Sequence, residues 1–229
     1  MAQIVGHRGA AGHAPENTLL SFRTAIELGC RAVELDAHLS KDGEVVVIHD
    51  AKVDRVTDGR GTVRRMTVSE LKSLRLAHGQ RLPTLREVIS LCKGKVQMHI
   101  ELKARGTAEP VAELVREFGV EAEVVILSFK IGLLKRIKRL NPRLRVTYLF
   151  LRKPLRLWSI VRKVPIDVIG PRMRLATDKL VRRAHELGCK VYVHVVNDPT
   201  AAERLTAMRV DAFCTDFPKL FQRRKSKRH

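Results

Sequence analysis

The stretch QIVGHRGAAGHAPENTLLSFRTAIELGCRAVELDAH, residues 3–38, decides the fold. It opens on a short apolar run, Gln3–Gly6, crosses a glycine- and alanine-rich turn, and continues as an amphipathic stretch from Thr18 to Leu28. Gly29 stands where a helix of that length should stop, and a second β-branched run, Ala32–His38, follows at once. Strand, helix and strand in so short a span make a β/α unit whose strands run parallel. The open question is why the first strand ends on His7 and Arg8 together.

Working outward, the alternation continues along the chain. Further strands are expected at Lys95–Leu102, Glu123–Leu127, Arg145–Leu149, Asp167–Ile169, Lys190–Val196 and Ala212–Thr215. Amphipathic stretches lie between them at Thr84–Cys92, Ala108–Phe118, Ile131–Leu140, Leu155–Val164, Asp178–Leu187 and Thr200–Met208. Gly119 and Gly188 follow helices, and Pro110 and Pro199 stand near helix starts. Eight such strands predict a (β/α)₈ TIM barrel, a single domain spanning residues 1–221, with a basic and disordered tail at 222–229. No G-x-G-x-x-G follows the first strand, which counts against a dinucleotide-binding sheet. One segment breaks the rhythm: residues 43–82 hold an extra strand-like run, Val45–Ile48, and then polar turns, an insertion after the second strand. Loops this long on a compact barrel usually serve function.

Composition narrows the class. Of 229 residues 45% are hydrophobic, enough for a core, while no apolar run approaches the roughly 18–20 residues of a membrane span. The start MAQIVGHRGA lacks the pattern of a secretory signal. Cys30, Cys92, Cys189 and Cys214 are scattered, which fits buried, reduced thiols in a cytoplasmic protein better than a disulfide framework or a zinc site. A formal net charge of +20 points either to a solvated cationic surface or to an anionic partner. Aromatic residues are only 4% and no nucleic-acid motif occurs, so stacking recognition of nucleic acid has little material.

Two strands carry chemistry. Residues two apart share a face, so AVELDAH aims Glu34 and Asp36 one way and Val33, Leu35 and Ala37 the other. In KVQMHIELK the inward set is Gln97, His99, Glu101 and Lys103. Carboxylates in a barrel interior need cations or a metal. An ion-pair network with Lys103 and an arginine is one solution; a hard cation, Mg²⁺ or Ca²⁺, on the oxygens of three acids is the other. His7 and His49 each follow an apolar run directly, which puts both at strand ends facing a cleft. Asp50 either orients His49 or begins the turn. His13, His78, His185 and His229 read as ordinary surface or core residues.

Together these pieces resemble the glycerophosphodiester phosphodiesterase family. The resemblance rests on H-R-G (7–9), PENT (15–18), VELDAHLSKDGEVVVIHD (33–50), PTLREV (83–88) and IELK (100–103). It continues through Ser128-Phe129, HVVND (194–198) and TDFP (215–218), nearly the whole chain. It implies a (β/α)₈ barrel with an insertion after the second strand. It further implies one divalent cation on Glu34, Asp36 and Glu101, His7 and His49 as acid–base pair, and Arg8 and Lys103 beside the substrate phosphate. The assignment leans to His7 as base and His49 as acid. Glu16 is read as holding the H-R-G loop, and Asn17 and Thr18 as capping the first helix. The expected reaction is hydrolysis of a small-molecule phosphodiester to glycerol 3-phosphate and an alcohol. Alternatives are a lysophospholipase D-type hydrolase and a non-catalytic basic barrel.

The sequence departs from the family in two places. Residues 194–197 read His-Val-Val-Asn where W-T-V-N is usual, so the pocket, with Phe129 and His194 on its wall, lacks a tryptophan. Ala212 replaces a usual glycine without touching the metal set. The stretch LRKPLRLWSIVRKVPI (151–166) joins basic residues to leucines and the only tryptophan, Trp158. It reads either as an ordinary outer helix with its apolar side packed on the sheet, or as a stretch whose exposed start and Trp158 make peripheral contact with an anionic membrane.

Overall fold

The computed structural model describes residues 2–221; the expected tail at 222–229 lies outside them. Among the described residues, eight parallel strands close a barrel: β1 (Gln3–Gly6), β2 (Ala32–Leu39), β4 (Gln97–Leu102), β5 (Val124–Ser128), β6 (Arg145–Phe150), β7 (Val168–Pro171), β8 (Lys190–Val193) and β9 (Ala212–Thr215). The spatial order is β1-β9-β8-β7-β6-β5-β4-β2, and β2 pairs back to β1 to complete the ring. β3 (Val45–Val47) adds antiparallel to β2 outside the ring. Helices α1 (Leu19–Glu27), α3 (Leu85–Cys92), α4 (Ala108–Phe118), α5 (Ile131–Leu140), α6 (Leu157–Lys163), α7 (Asp178–Glu186) and α8 (Pro199–Ala207) follow strands in turn. The (β/α)₈ barrel expected from the sequence is therefore the fold.

Alternation along the strands sorts the side chains as the period of two requires. Val33, Leu35, Ala37, Met98, Ile100 and Leu102 pack outward against the helices in the main apolar layer. Val5, Ala32, Val125, Leu127, Leu149, Tyr192, Ala212 and Cys214 form the apolar part of the barrel interior, and Glu34, Asp36 and Glu101 take inward positions toward its carboxyl end. All four cysteines are buried and free. No described helix is long and apolar enough to cross a membrane.

Caps set the helix entries. Thr18 accepts from Ser21 N at the start of α1, and Thr84 forms a reciprocal capping box with Glu87 at α3. Asp198 caps α8 with Pro199 at its first turn, and Gly119 ends α4 at φ 64°. Where the sequence predicts polar turns, the long β2–β4 connection carries a short helix, α2 (Val68–Ser73), itself capped by Thr67 and Glu70. It packs on its own apolar cluster of Val46, Ile48, Val53, Val63, Leu71, Leu76 and Leu82.

Element boundaries shift from expectation by up to three residues, and two of the shifts flank the barrel mouth. The apolar run from Lys190 promised a strand to Val196, but the ladder stops at Val193 and His194 keeps a single bridge to Arg172. Val196 N turns instead to Cys214 O. After β6 the chain turns at Pro154, whose carbonyl accepts from Leu157 N, and α6 starts at Leu157 rather than at the expected Leu155.

Candidate active site

A tight turn builds the first part of the site. A Cβ on Gly6 would lie 2.3 Å from Gly9 O, and one on Gly9 would lie 2.5 Å from Ser21 Oγ, so only glycine lets the chain double back here. Arg8 sits between them at φ 49°. Its backbone N–H donates to Glu34 Oε2 (3.0 Å), and Ser21 Oγ donates to its carbonyl (2.9 Å). His7 and Arg8 are thereby held together over the mouth of the barrel, both partly buried.

The acids come from adjacent strands in register, Asp36 opposite Glu101 and Glu34 opposite His99. Glu34, Asp36 and Glu101 are 3%, 1% and 8% exposed, and one oxygen from each lies within 4.8 Å of the others. Lys103 Nζ reaches Glu101 Oε1 at 3.1 Å and Asp36 Oδ1 at 3.4 Å, and Arg8 Nε lies 3.5 Å from Asp36 Oδ2. Asn17 Nδ2 donates to Asp36 Oδ2 at 2.8 Å. The ion pairs expected for buried acids are present, but two cations face three carboxylates and Arg8 is shared with Glu16.

The shortfall shows in the protonation balance. Burial, reinforced by Asp36 and Glu101, pushes the Glu34 carboxyl well above its ordinary value. Burial likewise raises Glu101 to about 7 against the pull of Lys103. Burial would raise Asp36 too, but Lys103, Arg8 and His49 outweigh it and hold Asp36 below the usual range. Three inward oxygens short of positive charge, with no sulfur or imidazole among them, fit a hard divalent cation.

A histidine stands on each side. His7 Nδ1 lies 2.6 Å from Asp216 Oδ1, and its Nε2 is 4.0 Å from Glu34 Oε2. Asn197 Nδ2 donates to the other Asp216 oxygen at 2.6 Å, while its own Oδ1 accepts from Thr215 Oγ1 and Asp216 N. His49 Nδ1 lies 2.6 Å from Asp50 Oδ1, so Asp50 orients the ring as well as beginning a turn. Arg55 grips Asp50 through Nε (2.6 Å) and Glu16 through both terminal nitrogens (2.8 and 2.7 Å), and Glu16 accepts from Arg8 (2.8 Å). Burial lowers His49 despite the nearby Asp36 and Asp50 carboxylates.

Beyond the acids the wall is aromatic. His194 stacks on Tyr192 (6.5 Å, 17°) and meets Phe129 edge-on (5.7 Å). Burial lowers His194 to about 4, so its ring is neutral. The structure therefore brings together Glu34, Asp36, Glu101, Arg8, Lys103, His7 and His49, with Phe129 and His194 on neighbouring loops. His13 stays outside against Phe217, and His185 pairs with Asp211 near the amino ends of the strands.

Four contributors went unassigned in the sequence: Asp216, Asn197, Arg55 and Asn17's contact to Asp36. Thr18 alone caps α1, and the expected capping role of Asn17 gives way to its bond with a buried acid. Asp216 had a readable signal, since it follows an apolar strand directly, as His7 does.

Comparison with known proteins agrees with this geometry. The glycerophosphoryl diester phosphodiesterase family model matches residues 7–220. A glycerophosphodiester phosphodiesterase of Caldanaerobacter subterraneus subsp. tengcongensis is 32% identical over 228 residues, covering 94% of each chain. One from Bacillus altitudinis is 30% identical and covers 95% of this chain and 96% of its own. Among solved structures, an Oleispira antarctica phosphodiesterase in complex with the product sn-glycerol-3-phosphate superposes with TM-score 0.92 at 28% identity, over 97% and 96% of the two chains. With the sequence match, the barrel and the acid cluster in agreement, the chain belongs to the glycerophosphoryl diester phosphodiesterase family and is a phosphoric diester hydrolase.

Proposed function

We propose that the chain hydrolyses glycerophosphodiesters to glycerol 3-phosphate and an alcohol, with His7 and His49 exchanging protons across a site held by Glu34, Asp36 and Glu101. The observation that carries this reading is the convergence of three charge-deficient buried carboxylates between two histidines, each braced by an aspartate. A divalent cation on the three acids, Mg²⁺ or Ca²⁺, would polarise the phosphoryl oxygens and offset their charge. Arg8 and Lys103 stand at the same acids and offset charge gathering on the non-bridging oxygens.

The proton path follows from the braces. Asp216 is an acceptor only, so the proton of neutral His7 resides on Nδ1 and Nε2 is free to take one from the attacking oxygen. Asp50 orients His49 in the same way, and as the acid that ring donates from Nε2 in its doubly protonated form, which the Asp36 and Asp50 carboxylates favour. Each transfer is worth about 10²–10⁴-fold in rate. The exposed Phe129 at the mouth favours a second substrate class with the same chemistry, lysophospholipids cleaved on the headgroup side.

The test is release of glycerol 3-phosphate from glycerophosphocholine, in parallel with cleavage of lysophosphatidylcholine, with and without exhaustive chelation. Activity on the first that chelation abolishes supports the reading. Full activity after chelation would remove the cation from it, and near-normal turnover in His7→Ala or His49→Ala would remove that histidine.

A further inference from the structure

We propose that one half of the barrel mouth is a docking surface for an anionic lipid bilayer, centred on the β6–α6 connection. The proposal is independent of which phosphodiester the site cleaves.

The charge there is one-sided. Apart from Lys103, which faces the acids, the connections that leave β4 (residues 104–107, ARGT), β5 (129–130, FK), β6 (151–156, LRKPLR) and β7 (172–176, RMRLA) hold seven lysines and arginines and no aspartate or glutamate. Connections from the other half of the ring mix the signs: those after β1, β8 and β9 carry Glu16, Asp198 and Asp216, and the β2–β4 connection sets Asp42, Glu44, Asp50, Asp54, Asp58 and Glu70 among its lysines and arginines. All four basic loops leave the carboxyl ends of neighbouring parallel strands, so their charge adds over a single face.

Apolar exposure falls on the same half. Leu155 is completely exposed and Leu151 is 52% exposed, and both stand among Arg152, Lys153 and Arg156. Neither leucine is needed by the core, because α6 packs through Leu157 and Val161. Trp158 lies half-buried against that core with Lys153 Nζ 5.9 Å from its ring centre. The docking elements are therefore 151–156, and Trp158 is a reporter beneath them rather than an anchor. Aliphatic side chains set among cations match a surface that is anionic outside and hydrocarbon within. Duplex nucleic acid would use the cations and leave the leucines in water.

The experiment measures co-sedimentation of the full chain with vesicles of phosphatidylcholine alone or mixed with phosphatidylglycerol, alongside Trp158 emission and binding to duplex DNA. Binding to the mixed vesicles alone, released by salt and accompanied by a Trp158 shift, is expected. Arg152→Glu/Lys153→Glu/Arg156→Glu should weaken partition by at least about a hundredfold. Leu155→Ser should weaken it about tenfold. Turnover of soluble glycerophosphocholine should stay unchanged in both. Equal partition of the charge-reversed and native proteins would overturn the proposal by assigning binding to another basic region, such as 222–229. Indifference to Leu155→Ser, or tighter binding to DNA than to anionic vesicles, would overturn it as well.

Discussion

His7 Nδ1 stands 2.6 Å from Asp216 Oδ1, although the two residues are 209 positions apart in the chain. Barrel closure makes the contact: β1 and β9 are neighbours, with Gly6 in register with Thr215. The first and last strands thus end on a histidine and the carboxylate that orients it. His7 N also donates to Thr215 O, so the backbone fixes the same pairing.

Asp216→Asn should therefore lower kcat about 10²-fold, the lower end of what a positioned proton carrier supplies, with KM little changed. An amide can donate to Nδ1 and favour the wrong tautomer, while its shape leaves the fold intact. Steady-state kinetics and thermal unfolding on the same sample check this. A loss of stability with kcat unaltered would make Asp216 a structural residue only.

Metal-free stability should depend on pH through the acid cluster. In the fold the Glu101 carboxyl is raised from 4.5 to about 7, with Glu34 raised in the same direction. Between those values the folded chain binds more protons than the unfolded one, so this contribution to stability falls as pH rises. In chelator, Glu101→Gln should gain on the native protein from pH 5 to 8, because glutamine cannot ionise. The same variant should lose the stabilisation that Mg²⁺ or Ca²⁺ gives the native chain. Thermal unfolding across that range with and without cation measures both, and parallel pH curves for the two proteins would contradict the assignment.

What was legible in the sequence follows from range. The inward set Glu34, Asp36, Glu101 and Lys103 could be read because a strand's period of two is local. His7 and His49 could be read because each ends an apolar run. The role of Asp216 depends on closure of the ring, which no local pattern encodes. Asn17 carries the composition of a helix cap, yet at φ 56° its side chain turns inward to Asp36. Arg55 lies in a segment of weak periodicity, and only the folded β2–β4 connection brings it to Glu16 and Asp50. The apolar run of β8 continues past Val193 because Val195 packs half-buried on the barrel interior and Val196 lies in the core, although the ladder has ended.

Arg55 should matter to turnover more than to stability. It is about half exposed and joins Asp50, behind His49, to Glu16, behind Arg8. An exposed ion pair adds at most about 1 kcal/mol to stability. Losing an orienting partner typically costs about 10–100-fold in activity at comparable sites. Arg55→Ala should thus unfold nearly normally and lose kcat in that range. Arg55→Lys should recover only part, since one ammonium cannot hold both carboxylates with the arginine fork. Full recovery by lysine would reduce the link to simple charge.

Substitution at His194 should redirect headgroup preference. The ring is neutral at ordinary pH, stacked on Tyr192 and edge-on to Phe129, with Nε2 3.2 Å from Gly170 O. His194→Trp keeps a ring N–H for that carbonyl and enlarges the aromatic face next to Phe129. A trimethylammonium group gains about 0.5–2 kcal/mol over such a face, roughly 2- to 30-fold in binding. The ratio of kcat/KM for glycerophosphocholine over glycerophosphoglycerol should rise within that range. His194→Phe should give a smaller rise, because phenyl offers a weaker face and no N–H. Competition between the two substrates in one reaction measures the ratio directly. If it stays constant across all three proteins, residue 194 lies outside the headgroup pocket.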